Sequence, residues 1–202
     1  MSNKIKKRYN RIARVYDLLE SPMESGFSKW RKELLEQAEG KVLEVGVGTG
    51  KNIAYYPENV ELTGIDFSER MIDRAKKKAW NKENVHLHVM DAENMDFQDD
   101  TFDTIVTSCV YCSVPDPVQG MKEMKRVCKQ GGKLLMLEHV RSNNKIAGRL
   151  MDFLNPIPLN IYGANINRRT YKNLLKAGFK PENIHVKQLW FDIVKLIRID
   201  NE

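Results

Sequence analysis

The sequence is poor in the residues that stabilise small secreted domains and in the long apolar runs that span membranes. Its 202 residues include three cysteines, an odd number that is too small for a disulfide framework. There is no apolar run of membrane-spanning length and no signal-peptide pattern at the N-terminus. We therefore expect a cytoplasmic protein with a single domain over residues 1–202.

Cysteine and histidine, the usual zinc ligands, are also scarce. Cys109 and Cys112 form a C-x-x-C pair, a spacing used by redox and zinc sites, but no second Cys or His pair stands nearby to complete a zinc site. We favour packing over redox chemistry for these cysteines. His86 and His88 stand two residues apart on one predicted strand. The sequence offers them no third ligand, so we predict no metal.

Acidic residues are absent from the first fourteen positions, which carry the basic residues Lys4, Lys6, Lys7, Arg8, Arg11 and Arg14. The net charge of the whole chain is +6, so the charge belongs to this basic arm and the remainder is close to neutral. Helical spacing relates Ile5, Tyr9, Ile12 and Tyr16. The arm is therefore predicted to be a helix, either a lid over the domain mouth or an interfacial helix on an anionic membrane.

A second helix is predicted after the basic arm. It begins beyond Ser21-Pro22 and ends at Gly40, and its apolar face carries Phe27, Trp30, Leu34 and Ala38. Together the two helices make residues 1–40 the predicted lid of the domain.

Beyond residue 40, strands alternate with helices. Apolar runs predict strands at 42–45, 60–65, 85–90, 102–110 and 133–138. Before the last of them, Gly131-Gly132 is predicted to end a helix whose apolar face carries Val118, Met121, Met124 and Cys128. Two further strands, at 184–190 and 193–199, are close enough to require an antiparallel hairpin. The sequence thus predicts an α/β fold with a doubly wound, mostly parallel, seven-stranded sheet.

A glycine-rich loop at residues 44–52 follows the first strand. Such loops serve several cofactors, so the spacing decides. A dinucleotide fingerprint beginning at Gly46 would need glycine where Lys51 stands. A phosphate-binding Walker loop would need glycine at Val45 and Ser or Thr at Asn52. Both phosphate-binding interpretations fail.

The remaining pattern, E-x-G-x-G-x-G, resembles motif I of class I S-adenosylmethionine-dependent methyltransferases, which have a Rossmann-like fold with a C-terminal antiparallel hairpin. Their cofactor carries no phosphate, so its aminocarboxypropyl chain needs close backbone contact. The resemblance implies that Gly46, Gly48 and Gly50 supply this contact and that Glu44 lies near the methionine ammonium. S-adenosylhomocysteine would be the product.

Acidic residues also end the next two strands. Asp66 is placed to accept hydrogen bonds from both ribose hydroxyls. By resemblance, Asp91 accepts from the adenine amino group, and the backbone of Ala92 donates to the ring. Each acid alone is explained equally well as a helix cap or loop residue, but three at successive strand ends indicate a ligand-binding edge. Four other residues complete the predicted cofactor contacts: Tyr16, Phe67, Met71 and Cys109.

Further segments resemble the ubiquinone/menaquinone-type branch of this family, most closely its bacterial phosphatidylethanolamine N-methyltransferases and membrane-associated thiol methyltransferases. These segments cover residues 11–17, 63–66, 112–116, 131–133, 137–140 and 163–169. Amino-methylating nucleic-acid enzymes usually carry a Pro-Pro-aromatic loop after the fourth strand, which residues 113–116 lack, so we expect no nucleic-acid partner. A non-catalytic cofactor-binding subunit is a further alternative.

Residues 141–169 carry substrate specificity in this fold. Their apolar residues are Ile146, Leu150, Met151, Phe153, Leu154, Ile157, Leu159, Ile161 and Tyr162. They form either a cap that buries its own apolar face, or an acceptor pocket or lip that dips into a membrane. An amphiphilic acceptor suits this segment and the basic arm, so we favour a phospholipid amine over a thiol, quinone or phenol, and a peripheral position at the inner membrane face.

Methyl transfer from a sulfonium depends mainly on alignment and desolvation. An amine or thiolate acceptor needs little further help, whereas a phenol or protonated thiol needs a general base. His139, at the end of the fifth strand, is the first candidate base, although it is equally well explained as a packed wall residue; Tyr111 is the second catalytic candidate. Predicted substrate contacts come from Tyr9, Arg168 and Arg169, the arginines holding a phosphate or lying on the surface.

Overall fold

The computed structural model describes residues 3–13, 16–161 and 163–202, with the backbone alone at 3–4 and 17–25. The expectations for Arg14 and Tyr162, and for the side chain of Lys4, lie outside the described residues. The strands are β1 (Lys41–Val45), β2 (Glu61–Asp66), β3 (Val85–Val89), β4 (Phe102–Ser108), β5 (Cys128–His139), β6 (Ile184–Gln188) and β7 (Val194–Asp200).

Helices cover both faces of the sheet. They are α1 (Asn3–Ile12), α2 (Tyr16–Leu35), α3 (Glu69–Lys78), α4 (Pro117–Val127), α5 (Lys145–Leu154), α6 (Pro156–Ile161) and α7 (Thr170–Lys176). Two short 3-10 helices lie at Lys51–Ala54, between β1 and β2, and at Pro181–Asn183, just before β6. Within the described part of the chain, no helix combines the length and apolar character needed to cross a membrane.

All seven strands form one sheet in the order β3-β2-β1-β4-β5-β7-β6. The first five are parallel, and β7 runs antiparallel to both β5 and β6. The predicted mostly parallel, doubly wound sheet with a C-terminal hairpin is confirmed. Chain order reverses between β1 and β4, which makes the carboxyl ends of these strands the switch point where ligands bind in such sheets.

Alternate residues of the central strands point into two hydrophobic cores. Leu43 faces one core with Met124 of α4, whereas its neighbour Val42 faces the other with Leu34 of α2 and Ile72 of α3. Side chains of this size contribute about 1.5–3 kcal/mol each when they are fully buried. Burial on both faces explains why the parallel strands are continuous apolar runs in the sequence.

Two predicted helix boundaries are wrong. The backbone of α2 is helical from Tyr16 to Leu35 and continues through Ser21-Pro22. A proline inside a helix removes one hydrogen bond, and the packing of the C-terminal half of α2, including Leu34 and Leu35, against the core offsets that loss. The helix ends at Leu35, and Gly40 instead forms the turn into β1 with φ +66°.

The predicted course of two central strands also needs correction. Helix α4 ends at Val127, and Gly131-Gly132 lies inside β5 rather than closing the helix. The β4–β5 register shifts there, because Gly131 has φ +76° and bonds to Asn201 O at 2.7 Å. Strand β4 ends at Ser108, two residues early, because Cys109 has φ +55° and turns the chain.

Candidate cofactor site

The glycine loop that follows β1 lies at the switch point. Gly46 has φ +73°, and a Cβ at this position would lie 2.5 Å from Val110 Cγ2 of the loop after β4. Gly48 has φ +55°, and a Cβ there would meet nothing nearer than 4.0 Å. Gly46 therefore allows the two loops to approach each other, while Gly48 presents open backbone to the cleft.

Asp66 connects this loop to α3. Its Oδ2 accepts a hydrogen bond from Gly48 N at 3.1 Å, and its Oδ1 accepts from Ser68 N at 2.9 Å. Ser68 in turn caps α3, since its Oγ accepts from Met71 N at 3.2 Å. Burial raises the pKa of Asp66 to about 6, although the two backbone donors lower it. The carboxylate lines the cleft, as a ribose-binding group must.

Glu44 is a second buried acid at this edge. Its Oε1 accepts a hydrogen bond from Asn52 Nδ2 at 2.7 Å, and its Oε2 accepts from the Tyr56 hydroxyl at 3.0 Å. Burial raises the pKa of Glu44 to about 7, and these donors, with the charge of Arg31, lower it. Because its carboxyl group lines the cleft, a cationic ligand group placed there would favour the ionised form.

The nucleoside end of the cleft is largely apolar. Phe67, Met71 and Ala92, which the sequence predicted there, line this part together with Met90. These apolar walls beside Asp66 match an apolar ring system attached to a ribose.

Two predicted cofactor contacts, Asp91 and Gly50, do not line the cleft. Asp91 Oδ1 accepts a hydrogen bond from Glu93 N at 2.9 Å and so shapes the turn after β3. At Gly50 a Cβ would lie 2.8 Å from Ile53 Cδ1 and 3.0 Å from Ala75 Cα. This glycine lets α3 pack against the loop. Their direct contact with the cofactor is therefore not supported.

Helix α1 lies across the nucleoside end. The Tyr9 ring contacts Phe67 edge-on, with 5.6 Å between centroids, and lies 6.2 Å from the Tyr16 ring. The Tyr9 hydroxyl is 2.5 Å from Ser113 Oγ of the loop after β4. Asn10 Oδ1 accepts from Ser68 Oγ at 2.6 Å. Tyr9 and Tyr16 thus line the cleft from above, in the arrangement expected of a lid.

The cleft continues into a second, wider part, the acceptor part. Both parts share Tyr16, Gly46, Gly48 and Cys109 in their walls. Side chains that line the acceptor part alone include Phe27, Arg31, Lys51, Cys112, His139 and Ile166. One end can therefore hold a nucleoside, while the wider part, which Glu44 also lines, receives the cofactor's amino-acid chain and an acceptor.

His139, the candidate base, is the last residue of β5 and lines the acceptor part. Burial lowers its pKa below the usual 6.5. The imidazole is therefore neutral at pH 7 and has a lone pair with which to accept a proton.

The C-x-x-C pair lies at the same strand ends. Cys112 Sγ donates to Cys109 O at 3.3 Å, and burial raises the pKa of the Cys112 thiol to about 12. A thiol in this state is a poor nucleophile and a poor metal ligand. Neither cysteine forms a disulfide, and among the described residues no group of three or more His, Cys, Asp or Glu is arranged to hold a metal.

Tyr111, the second catalytic candidate, does not line the cleft. Its side chain is 0% exposed and lies in the hydrophobic core, where its ring packs under Gly120 of α4. Burial, with the charge of Glu138, raises the pKa of the Tyr111 hydroxyl far above its usual value. The turn at Cys109 reverses the expected alternation of side chains, so residue 111 points inward instead of into the cleft.

The predicted phosphate-binding arginines also lie elsewhere. Arg168 Nη2 donates to Val114 O at 2.6 Å, and Arg168 and Arg169 line a separate pocket. The cleft is lined instead by Ala164, Asn165 and Ile166, a few residues earlier in the same segment.

The residues that sequence reasoning missed are held by backbone contacts that leave no motif. Asn165 N donates to Cys112 O at 2.8 Å, and Ile166 N donates to Asn155 Oδ1 at 2.9 Å. The first bond joins the segment after α6 to the loop after β4, and the second joins it to the residue between α5 and α6. Arg31 also lines the cleft, although the sequence did not predict it as a site residue. Arg31 lies four residues after Phe27 and therefore on the same face of α2. This spacing is the sequence feature that could have predicted it.

Comparison with known proteins agrees with this geometry. A family model described as "Methyltransferase domain" matches residues 43–136. A phosphatidylethanolamine N-methyltransferase of Cereibacter sphaeroides is 46% identical over 103 residues, 50% of this chain and 51% of that protein. The chain thus matches about half the length of that relative. A demethylmenaquinone methyltransferase of Thermotoga maritima is 33% identical over 166 residues, 76% of this chain and 71% of that protein.

A solved S-adenosylmethionine-dependent methyltransferase of Thermotoga maritima superposes with a TM-score of 0.77 over 97% of this chain and 99% of that chain. At 22% identity this likeness shows the fold alone. Fold and site together define a nucleoside-cofactor enzyme without a phosphate-binding loop. The chain belongs to the class I S-adenosylmethionine-dependent methyltransferase family. Glu44, Asp66 and the open backbone at Gly48 fit the ammonium, ribose and amino-acid chain of that cofactor.

We predict that Asp66→Ala weakens S-adenosylmethionine binding about 100-fold, because two hydrogen bonds to an ionised carboxylate together contribute about 3 kcal/mol. Titration calorimetry measures the affinity, and circular dichroism checks that the variant is folded. Asp96→Ala, at an exposed acid outside the cleft, is the matched control. Unchanged affinity in folded Asp66→Ala would overturn the ribose assignment.

Cofactor binding should also depend on pH. The free protein holds Glu44 with a pKa of about 7 and Asp66 with a pKa of about 6, but a carboxyl group pairs with an ammonium or accepts from two hydroxyls only when it is ionised. Below these values each group must release a proton as the cofactor binds. We therefore expect the affinity to fall as the pH is lowered through about 7 and then about 6.

Calorimetry in two buffers with different ionisation heats measures the proton release directly. Glu44→Gln should remove the release near pH 7 and leave the step that belongs to Asp66. Proton release identical in Glu44→Gln and the native chain would contradict the role of Glu44.

Proposed function

We propose that this chain transfers the methyl group of S-adenosylmethionine to the amine of a phospholipid headgroup. The observation that carries the proposal is the composition of the acceptor part, where apolar Phe27 and Ile166 occur together with basic Arg31 and Lys51. A phospholipid headgroup presents a phosphate anion next to an apolar body, and these walls match both. The similarity to a phosphatidylethanolamine N-methyltransferase supports the same acceptor.

When bound, S-adenosylmethionine would supply an electrophilic methyl group for the acceptor nitrogen, with S-adenosylhomocysteine as the leaving group. The chain's own residues align the reactants and exclude water, which are the main requirements of this displacement. Tyr9 and Tyr16 cover the nucleoside end, and His139 can take the proton that the methylated amine loses. Arg31 and Lys51 would hold the phosphate in place of Arg168 and Arg169.

The proposal also implies that the protein lies peripherally on the anionic inner face of a membrane. Two basic residues of α1 serve the lid, since Lys6 forms an ion pair with Glu69 at 2.5 Å and Arg8 Nη1 donates to Leu159 O at 2.7 Å. Lys7 and Arg11 are exposed one turn apart. The same helix can therefore act as a lid and face lipid headgroups.

A second candidate acceptor is a quinone or another phenol. The demethylmenaquinone methyltransferase relative and the neutral imidazole of His139 favour it, because a phenol must lose a proton before it attacks. A hydrophobic thiol would make the same demand.

The test uses S-adenosylmethionine with a labelled methyl group. The protein is incubated with phosphatidylethanolamine, demethylmenaquinone or an alkyl thiol, each dispersed in the same detergent, and the lipid products are separated by chromatography. We expect label in methylated phosphatidylethanolamine. Label in the quinone or thiol alone would overturn the proposal and identify the acceptor.

His139→Ala separates the two chemistries. With an amine acceptor we expect kcat to fall less than about tenfold, whereas loss of a general base for a phenol costs about 10²–10⁴-fold. His185→Ala, on the exposed surface of β6, is the control and should leave kcat unchanged. A loss of about 100-fold or more with phosphatidylethanolamine would show that the amine also requires this base.

A further inference from the structure

Helices α5 and α6 carry their apolar residues outward. Ile146 and Phe153 are 82% and 80% exposed, and the same face carries the exposed residues Leu150, Leu154, Ile157 and Ile161. We call these six residues the apolar stripe. Among the described residues of α5 only Gly148 is buried, and those of α6 include no buried residue. An ordinary surface helix turns its apolar face to the core, so the arrangement here is inverted.

Polar contacts on the inner face hold α5 in this orientation. Arg141 forms a bidentate pair with Asp152, with Nε–Oδ1 at 3.0 Å and Nη2–Oδ2 at 2.8 Å. Any Cβ at Gly148 would collide with the same guanidinium, so the helix packs closely against Arg141. Asn144 Oδ1 caps the helix by accepting from Ile146 N at 2.9 Å. The stripe cannot rotate inward without breaking these contacts.

Positive charge surrounds the stripe. On α5 itself Lys145 and Arg149 are exposed, while its one acid, Asp152, is paired with Arg141. The basic helix α1 adjoins α6, because Arg8 bonds to Leu159 O and Ile5 Cγ2 lies 3.7 Å from the Cβ position of Gly163. An apolar face bordered by basic residues matches a surface that is apolar inside and anionic outside.

A pair of aromatic residues lies next to the start of α5. Trp190 and Phe191 form the exposed β6–β7 turn. Asn143 N donates to Asp192 Oδ2 at 2.5 Å, which holds that turn against the residues before α5. Exposed Trp is typical of protein surfaces at the lipid–water boundary.

We infer that the apolar stripe inserts into an anionic lipid surface and is the membrane-docking face of this protein. Residues Asn165 and Ile166, just beyond α6, line the acceptor part of the cleft, so docking through the stripe brings the mouth of the cleft to the bilayer. The inference does not depend on which acceptor is methylated. It places the apolar contact on α5 and α6, with α1 contributing charge alone.

The test is co-sedimentation with vesicles of phosphatidylcholine and phosphatidylglycerol. The double variant Phe153→Ser with Ile157→Ser should bind at least tenfold more weakly than the native chain, because two exposed apolar side chains are removed. Phe153→Leu with Ile157→Leu keeps the apolar face and should bind within about threefold of the native chain. Trp80→Ser removes a side chain that is 85% exposed between α3 and β3, at the opposite edge of the sheet, and should leave binding unchanged.

Equal sedimentation of the native chain and the double serine variant would overturn the inference. So would a native chain that dimerises through the stripe in analytical ultracentrifugation without vesicles, when the serine variant stays monomeric. S-adenosylmethionine affinity, measured by calorimetry, should be the same in all these variants because the stripe does not line the cleft. A docking failure is therefore distinguishable from a failure of the methyl-transfer proposal, which the labelled acceptors test separately in detergent.

Discussion

The carboxylate of Asp66 is the contact on which the cofactor edge depends. It accepts from Gly48 on one side and from Ser68 on the other, so one side chain joins the glycine loop of β1 to the first turn of α3. Ser68 also receives α1 through Asn10. Loop, helix and lid therefore converge on one buried acid. Burial raises the pKa of Asp66, so hydrogen-bond donors supplied by a ligand would favour its ionised form.

The outline of the fold could be predicted because the apolar runs and the lengths of the connections between strands are satisfied by one type of sheet. Strands buried on both faces are continuous apolar runs, and a hairpin is the one connection short enough for the last two. The glycine loop was equally informative, since the positions of Lys51 and Asn52 exclude phosphate-binding loops. These features are local in sequence, so one amino-acid sequence is enough to predict them.

The site beyond the glycine loop was predicted less well, because it depends on where strands stop. A positive φ at Cys109 ends β4 two residues early, and this offset moves Tyr111 from the predicted cleft to the core. In the same way, the residues of this segment that line the cleft are Ala164–Ile166. They come a few residues before Arg168 and Arg169, which the sequence predicted there. Helical spacing predicts the apolar face of α2 that carries Phe27, but it does not indicate that the charged Arg31 on that face lines the cleft.

The segment that follows β5 shows the limit of periodicity more sharply. Apolar residues at spacings of three and four from Ile146 to Ile161 predict a helical face, yet the same spacing describes a face turned inward or outward. The deciding residues are on the other side of α5. Gly148 leaves room for the Arg141 guanidinium, and Asp152 pairs with it, so the polar side of the helix is the one that packs. Orientation is thus determined by a contact between residues 141 and 152, and the exposed apolar stripe, bordered by basic α1, follows from it.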